Sequence, residues 1–327
     1  MSSKINEMIS SLPRAKLANI PTRIDAMNRL PDYINGPRIF VKRDDNTDSL
    51  GGNKLRKLEF LLGDAVSKGA DTIITSGDLQ SNHARLTATS ARKLGLNVSL
   101  VLASTNRHFD YRGNLLLDSL LGADIKIVAP NRVTDAIKQI ESKLLNQAKI
   151  PYIIPAAGYS SLGVMAYMEC FAEILQQGRD LPISPSHIML VSGSGTTQAG
   201  LLLGKVVLES KTKIIGISDG LPSSILKQNI LKIGRSAVKS LGLKSQISPA
   251  DVIVFDEFVN DFEIGNLLKV IKLVAKYEGI FLDPDYTAKS MYATIKLIRS
   301  GYFSPRDSIL FMHTGGMPSL LAMRKTR

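Results

Sequence analysis

Short runs of β-branched and aliphatic residues recur along the chain, at Thr72–Thr75, Val98–Leu102, Ile125–Val128, Ile188–Val191, Ile214–Ile217, Val252–Phe255 and Ser308–Met312, and amphipathic stretches separate them. The runs read as buried strands. The stretches 54–68, 82–94, 111–121, 134–147, 161–177, 197–209, 265–278 and 286–299 carry apolar residues at helical spacing. Alternation of this kind indicates an α/β protein with parallel sheets. Right-handed crossovers then bring the carboxyl ends of the strands, and the loops after them, to one edge, where ligands bind. The runs fall into two clusters, 72–154 and 188–312, divided near 160 by the turn-rich IPAAGYSSLG. The expected fold is therefore two open, twisted, mostly parallel sheet domains with flanking helices and a cleft between them. Residues 1–47 and 161–327 are assigned to a large domain and 48–160 to a small one, which suits 327 residues. The Pro-containing first 45 residues are expected to pack over one of the domains.

Composition narrows the function. With 44% hydrophobic and 21% charged residues the chain can bury a sizeable core. No apolar run is long enough to span a membrane, and the amino terminus carries charges where a signal peptide needs an apolar stretch. A single cysteine, Cys170, excludes an internal disulfide, so the cytoplasm is the expected compartment. The net charge of +12 asks for an anionic partner. Residues 201–250 hold eight basic residues against two acidic ones, yet no aromatic side chain, and the whole chain lacks Trp. Nucleic-acid binding by base stacking is thereby disfavoured, and a solvated basic face is expected.

Five loops carry groups fit for chemistry. In DDNTDSLGGNKLRK, Gly51 and Gly52 precede Asn53 and a helix start, which places Lys54 where the helix dipole disfavours its protonation. A lysine so placed suits imine chemistry, although alone it reads equally as a surface lysine. Ser81, Asn82 and His83 follow a strand and open a helix, so hydroxyl, amide and backbone N–H groups converge on one point that can bind a carboxylate, or they cap the helix. Gly193, Ser194, Gly195, Thr196 and Thr197 form a strand-to-helix turn suited to a phosphate. It is no P-loop, and Gln198 stands where a dinucleotide fingerprint needs its third glycine, which favours a monophosphate over the dinucleotide that Asp219 would suit. LDPDYTAK presents Tyr286 and Thr287 at a helix start, and FMHTGG ends a strand in His313, Thr314 and two glycines. No metal-binding or paired-carboxylate pattern occurs.

The ordered set VKRDD, GGNKLRKLEF, QSNHAR, GSGTT, LDPDYTAK and HTGG resembles the D-cysteine desulfhydrase and 1-aminocyclopropane-1-carboxylate (ACC) deaminase family, pyridoxal-phosphate (PLP) enzymes of the tryptophan-synthase-β fold, from about Lys42 to Ala322. The resemblance implies that Lys54 joins PLP as an imine and later removes the substrate's α-proton. It also implies that Gly193–Thr197 hold the phosphate, Asn82 bonds the ring hydroxyl and Thr314 meets the pyridine nitrogen. Ser81, Asn82, His83 and Gly158 would take the substrate, with Tyr286 beside the reacting carbons, and Lys54, Ser81 and Tyr286 would be catalytic. A homodimer acting on a small amino acid, without metal, nucleic acid or membrane, is implied as well.

Two positions separate the relatives. In ACC deaminases Gln follows the Ser-Asn pair and Glu follows the tyrosine; here His83 and Thr287 stand there, the desulfhydrase pattern. The expected activity is α,β-elimination of D-cysteine to pyruvate, ammonia and hydrogen sulfide. ACC deamination, elimination from another β-substituted amino acid, and a non-catalytic PLP- or nucleotide-binding protein are the alternatives. Three departures bear on substrate and cofactor. Asp256–Glu263 lacks the second tyrosine that the family often carries, the family's Gly-Gly-Ser-Asn run appears as Ala157-Gly158-Tyr159-Ser160, and Thr196 replaces a common glycine of the phosphate loop.

Overall fold

The computed structural model describes residues 2–48, 50–106, 108–180 and 184–323. Among them are ten strands: β1 (Ile24–Met27), β2 (Arg38–Lys42), β3 (Thr72–Asp78), β4 (Asn97–Ala103), β5 (Asp124–Val128), β6 (Pro151–Ile153), β7 (His187–Ser192), β8 (Lys213–Ser218), β9 (Ile253–Phe255) and β10 (Ser308–Met312). The helices are α1 (Ser2–Ile9), α2 (Leu30–Ile34), α3 (Asn53–Ser67), α4 (Asn82–Lys93), α5 (Gly113–Leu120), α6 (Val133–Asn146), α7 (Ser161–Asp180), α8 (Thr196–Val207), α9 (Ser223–Ser240), α10 (Ile264–Glu278), α11 (Thr287–Arg299) and α12 (Met317–Ala322). No helix of the described residues is long and apolar enough to cross a membrane.

The chain forms two compact units. The first comprises Met1–Ser11, Asn19–Asn53 and Ser160–Met317. Its six-stranded sheet runs β1-β2-β10-β7-β8-β9, parallel throughout except for β1. Strands β7 and β10 are buried along their length, as expected for a central parallel pair covered on both faces. Helices α1, α8 and α9 pack on α7, while α11 lies on β7 and β8 together with α10 and α2. Chain order moves outward from β7 through β8 to β9 and returns to the other side of β7 with β10. That reversal opens a crevice at the carboxyl ends of β7 and β10.

The second unit comprises Leu12–Ala18, Lys54–Tyr159 and Pro318–Arg327. Its sheet runs β5-β4-β3-β6, all parallel. Here β3, β4 and β5 proceed in one direction and β6 returns beside β3, so the reversal lies at the carboxyl ends of β3 and β6.

The boundaries differ from the expected division in identifiable ways. The first 45 residues do not simply cover a domain, because β1 and β2 extend the six-stranded sheet. Lys42 on β2 is wholly buried, its ammonium held by Glu173, the Gln177 amide oxygen and the Thr22 carbonyl. Residues 12–18 join the second unit because Glu59 on α3 accepts hydrogen bonds from the Arg14 guanidinium and from the N–H groups of Leu17 and Ala18. Half of the basic cluster at 201–250 lies on α9, where Lys232, Arg235 and Lys239 are exposed while Leu226, Ile230, Ile233 and Ala237 face the core.

Candidate active site

Each reversal point collects residues singled out by sequence. In the first unit, β7 leads through Ser192, Gly193, Ser194 and Gly195 into α8. Gly195 is the N-cap, in the left-handed region at φ 82°, and no side chain caps the helix. The N–H groups of its first turn are therefore turned to the crevice without a helical acceptor, apart from a 3.5 Å contact of Thr196 N–H with Ser194 Oγ. Such a terminus attracts an anion through its aligned peptide dipoles. Thr196 and Thr197 are buried, and the Asn53 amide donates to the Thr197 hydroxyl at 3.3 Å. Gln198, in the third-glycine position, does not prevent close packing, because the room is supplied from the sheet: a Cβ on Gly216 would lie 2.0 Å from Gln198 Oε1.

The end of β10 belongs to the same crevice. Gly52 and Gly315 form a backbone bridge, and the Asn53 N–H donates to the Thr314 carbonyl at 3.1 Å. A side chain on Gly315 would strike the Gly51 carbonyl at 2.5 Å, which explains why glycines occur in both segments. Thr314 is buried, and its hydroxyl meets no partner among the described residues. His313 is spent on the main chain: Nε2 donates to the Phe281 carbonyl at 2.9 Å and Nδ1 accepts from Gly315 N–H at 3.3 Å. Tyr286, half-buried, stands at the start of α11. Buried Asp283 shapes that start by accepting from the N–H groups of Asp285, Tyr286 and Thr287 and from the Thr287 hydroxyl. Burial raises the Asp283 carboxyl above the usual range. Thr287 is thus a fully buried loop closure.

In the second unit, Lys54 is the first residue after Asn53 and sits half-buried in the opening turn of α3. One turn on, Lys57 is buried, and its ammonium is held well below the usual lysine range by burial and by the nearby Lys54 charge. At the end of β3, Ser81 is the N-cap of α4, its hydroxyl accepting from Ala84 N–H at 3.2 Å. The capping role and a ligand role are compatible, since the Ser81 hydroxyl still has its own proton to give. Asn82 is half-buried. The His83 ring is 3% exposed and its pKa falls to about 3, first through burial and then through the charges of Lys54 and Lys57. Its Nε2 lies 3.0 Å from the Thr75 hydroxyl, which itself donates to the Ile154 carbonyl, so the ring is neutral with the proton on Nε2. What His83 offers at the helix start is its backbone N–H, while its side chain braces β3. After β6, Ala157 and Gly158 both adopt left-handed backbone, at φ 58° and 66°.

The second unit thus unites Lys54, Ser81, Asn82, His83 and Gly158 around the β3–β6 reversal, and the first unites Gly193–Thr197, Thr314 and Tyr286 around β7 and β10. Sequence reasoning missed Lys57, whose apolar neighbours Leu55 and Leu58 gave no hint of its burial. It also missed Asn114, at the start of α5, which bonds to Asn82.

Comparison with known proteins shows the family. Residues 15–315 match the family described as pyridoxal-phosphate dependent enzyme. A D-cysteine desulfhydrase of Salmonella typhi is 37% identical over 323 residues, covering 96% of this chain and 97% of that protein. A protein of Pyrococcus abyssi, provisionally named 1-aminocyclopropane-1-carboxylate deaminase, is 34% identical over 324 residues, covering 98% and 96%. A crystal structure of an ACC deaminase homologue superposes with a TM-score of 0.89 at 33% identity, covering 98% of this chain and 97% of that one. The chain belongs to the pyridoxal-phosphate-dependent enzymes, in the family of D-cysteine desulfhydrases and ACC deaminases, and its cofactor is pyridoxal 5'-phosphate.

Proposed function

We propose that the chain is a carbon–sulfur lyase that converts D-cysteine and water to pyruvate, ammonia and hydrogen sulfide. The residues present fit the cofactor. The uncapped first turn of α8, carrying the Thr196 and Thr197 hydroxyls, suits the phosphate, with the Asp219 carboxylate packed against Gly193 at the edge of the loop, and the buried Thr314 hydroxyl has no partner among the described residues. When bound, PLP supplies an electron sink for the charge that develops on the substrate α-carbon.

The rest is the work of the chain. Lys54 would hold the cofactor through its side-chain nitrogen and would serve as the base for the substrate's α-proton. The buried Lys57, itself held toward the neutral form by desolvation, lies one turn from Lys54. The Ser81 hydroxyl, Asn82 and the His83 N–H would receive the substrate carboxylate at the start of α4, with Gly158, whose N–H is spent on the Pro155 carbonyl, lining the same site. Asn82 would also donate to the cofactor's ring hydroxyl, and Thr314 would offer the pyridine nitrogen a neutral partner that does not enforce its protonation. A neutral partner suits elimination, because a good leaving group such as thiolate lessens the need to store charge at the α-carbon. Tyr286 flanks the β-carbon and its leaving sulfur.

The observation that carries D-cysteine over ACC is position 287. Ring opening calls for an acid beside the tyrosine, and here Thr287 is buried with its hydroxyl closed onto Asp283. The neutral, internally bonded His83 supports the same reading. The test is keto-acid release from D-cysteine, L-cysteine, ACC and D-serine side by side, with sulfide measured for the cysteines. D-cysteine is expected to give the highest kcat/KM, with equal sulfide and pyruvate. Faster turnover of ACC would replace this reading with the deaminase one.

A further inference from the structure

Asn82 is a side-chain amide, and either its N–H or its carbonyl end could face a ligand. The surroundings decide which. Arg85 is 2% exposed, and its Nε donates to Asn114 Oδ1 at 3.1 Å. A guanidinium has no acceptor, so the Asn114 atom facing it must be the oxygen. Asn114 is wholly buried, and its Nδ2 donates to the Gln80 carbonyl at 2.7 Å, an acceptor only, and to Asn82 Oδ1 at 3.0 Å. A second tie fixes Asn114 in place, since its backbone N–H donates to Gln80 Oε1 at 3.0 Å while Gln80 Nε2 donates to the Arg112 carbonyl at 3.0 Å. Donor-only Arg85 and acceptor-only Gln80 carbonyl therefore hold Asn114 in one orientation from both sides. Asn114 in turn occupies the oxygen of Asn82. The Asn82 Nδ2 finds no acceptor among the described residues and is left to donate outward.

We infer that Asn114, locked by Arg85, is a positioning residue that fixes the Asn82 amide with its N–H end toward the ligand, so that the cofactor's ring oxygen is met by a donor and held as the anion. The inference rests on the proposed placement of Asn82 at the ring hydroxyl. Its consequence is electronic: a fixed donor draws charge from the ring oxygen and weakens its hold on a proton shared with the Lys54 side-chain nitrogen. Asp at 114 would still accept from Arg85 but could not donate, so Asn82 would turn its N–H inward and its carbonyl toward the ring.

The test is a double-mutant cycle read from the absorbance of bound cofactor against pH, a signal that a purely structural role would not move. Asn82→Ala, Asn114→Asp and the double variant are each loaded with PLP. One hydrogen bond lost corresponds to a midpoint about one pH unit higher. Asn114→Asp is expected to raise the midpoint by that amount when Asn82 is present and to add little when it is absent. An unmoved midpoint in Asn114→Asp, or an equal rise with and without Asn82, which would mark the new charge alone, overturns the inference while leaving the placement of Asn82 intact. No shift in Asn82→Ala overturns both. Should Asn114→Asp fail to fold, Asn114→Leu runs through the same cycle with the same expectation.

Discussion

Asp118, on α5 beside this network, offers a prediction whose magnitude follows from its surroundings. It is 1% exposed, and neither carboxylate oxygen meets a hydrogen-bond donor among the described residues. Burial pushes its carboxyl up to about 7, and the neighbouring Arg85 charge offsets only part of that. Below about pH 4 both folded and unfolded chains keep the proton. Between about 4 and 7 the unfolded chain ionises while the folded one does not, so folding takes up a proton and stability falls as pH rises, by about 1.4 kcal/mol per unit. Above about 7 both states are ionised and the whole penalty is present. A rise of about three units sets a ceiling near 4 kcal/mol, which water entering around the charged form would reduce to about 2 kcal/mol. The Asp118→Asn variant has no such ionisation. Urea unfolding of the PLP-loaded proteins at pH 5, 6, 7 and 8 should show the variant gaining about 2 kcal/mol on the parent across that range. Parallel pH profiles would mean that Asp118 ionises in the folded chain as easily as in the unfolded one, and the burial argument would be wrong.

Three further outcomes follow from the site. Gly195→Ala places a Cβ 2.6 Å from Ile230 Cγ1 at a left-handed position, so PLP affinity by fluorescence titration should fall about tenfold or more; unchanged affinity would remove the α8 turn from the phosphate site. Because the His83 ring stays neutral down to about pH 3, His83→Gln should leave the shape of the kcat/KM profile between pH 5 and 9 unaltered, and loss of a limb there would show that His83 titrates. Thr287→Val removes the hydroxyl that both accepts from and donates to Asp283, and should lower stability to urea by about 1–3 kcal/mol; a neutral effect would mean that the loop does not depend on it.

The residues explain why much of this architecture could be read from sequence and some could not. Continuous apolar runs such as 188–191 and 308–312 announce central parallel strands, and the small polar residues after them mark the crevice. Strand β2 escaped because Arg38 and Lys42 break the apolar pattern, and burial of Lys42 depends on Glu173 and Gln177, more than 130 residues away. Helix α9 escaped for a different reason. Its basic residues dominated the composition of 201–250, although Leu226, Ile230, Ile233 and Ala237 already recur at helical spacing. At the site, the loops that chemistry requires were legible because each needs glycine, hydroxyl or amide groups next to a helix start. The orientation of Asn82 was not, since it is set by Asn114, 32 residues on. Ala157 shows the limit from the other side: it holds a left-handed backbone, at a conformational cost of about 1 kcal/mol that sequence alone does not display.

Lys54, at the first turn of α3, is the residue proposed to carry the cofactor. Borohydride reduction of the PLP-loaded protein, followed by peptide mass analysis, reads this directly. The account predicts one pyridoxyl-phosphate adduct on the peptide containing Lys54 and none on that peptide in Lys54→Ala. An adduct on Lys57 or any other lysine instead, or no adduct at saturating PLP, would contradict it.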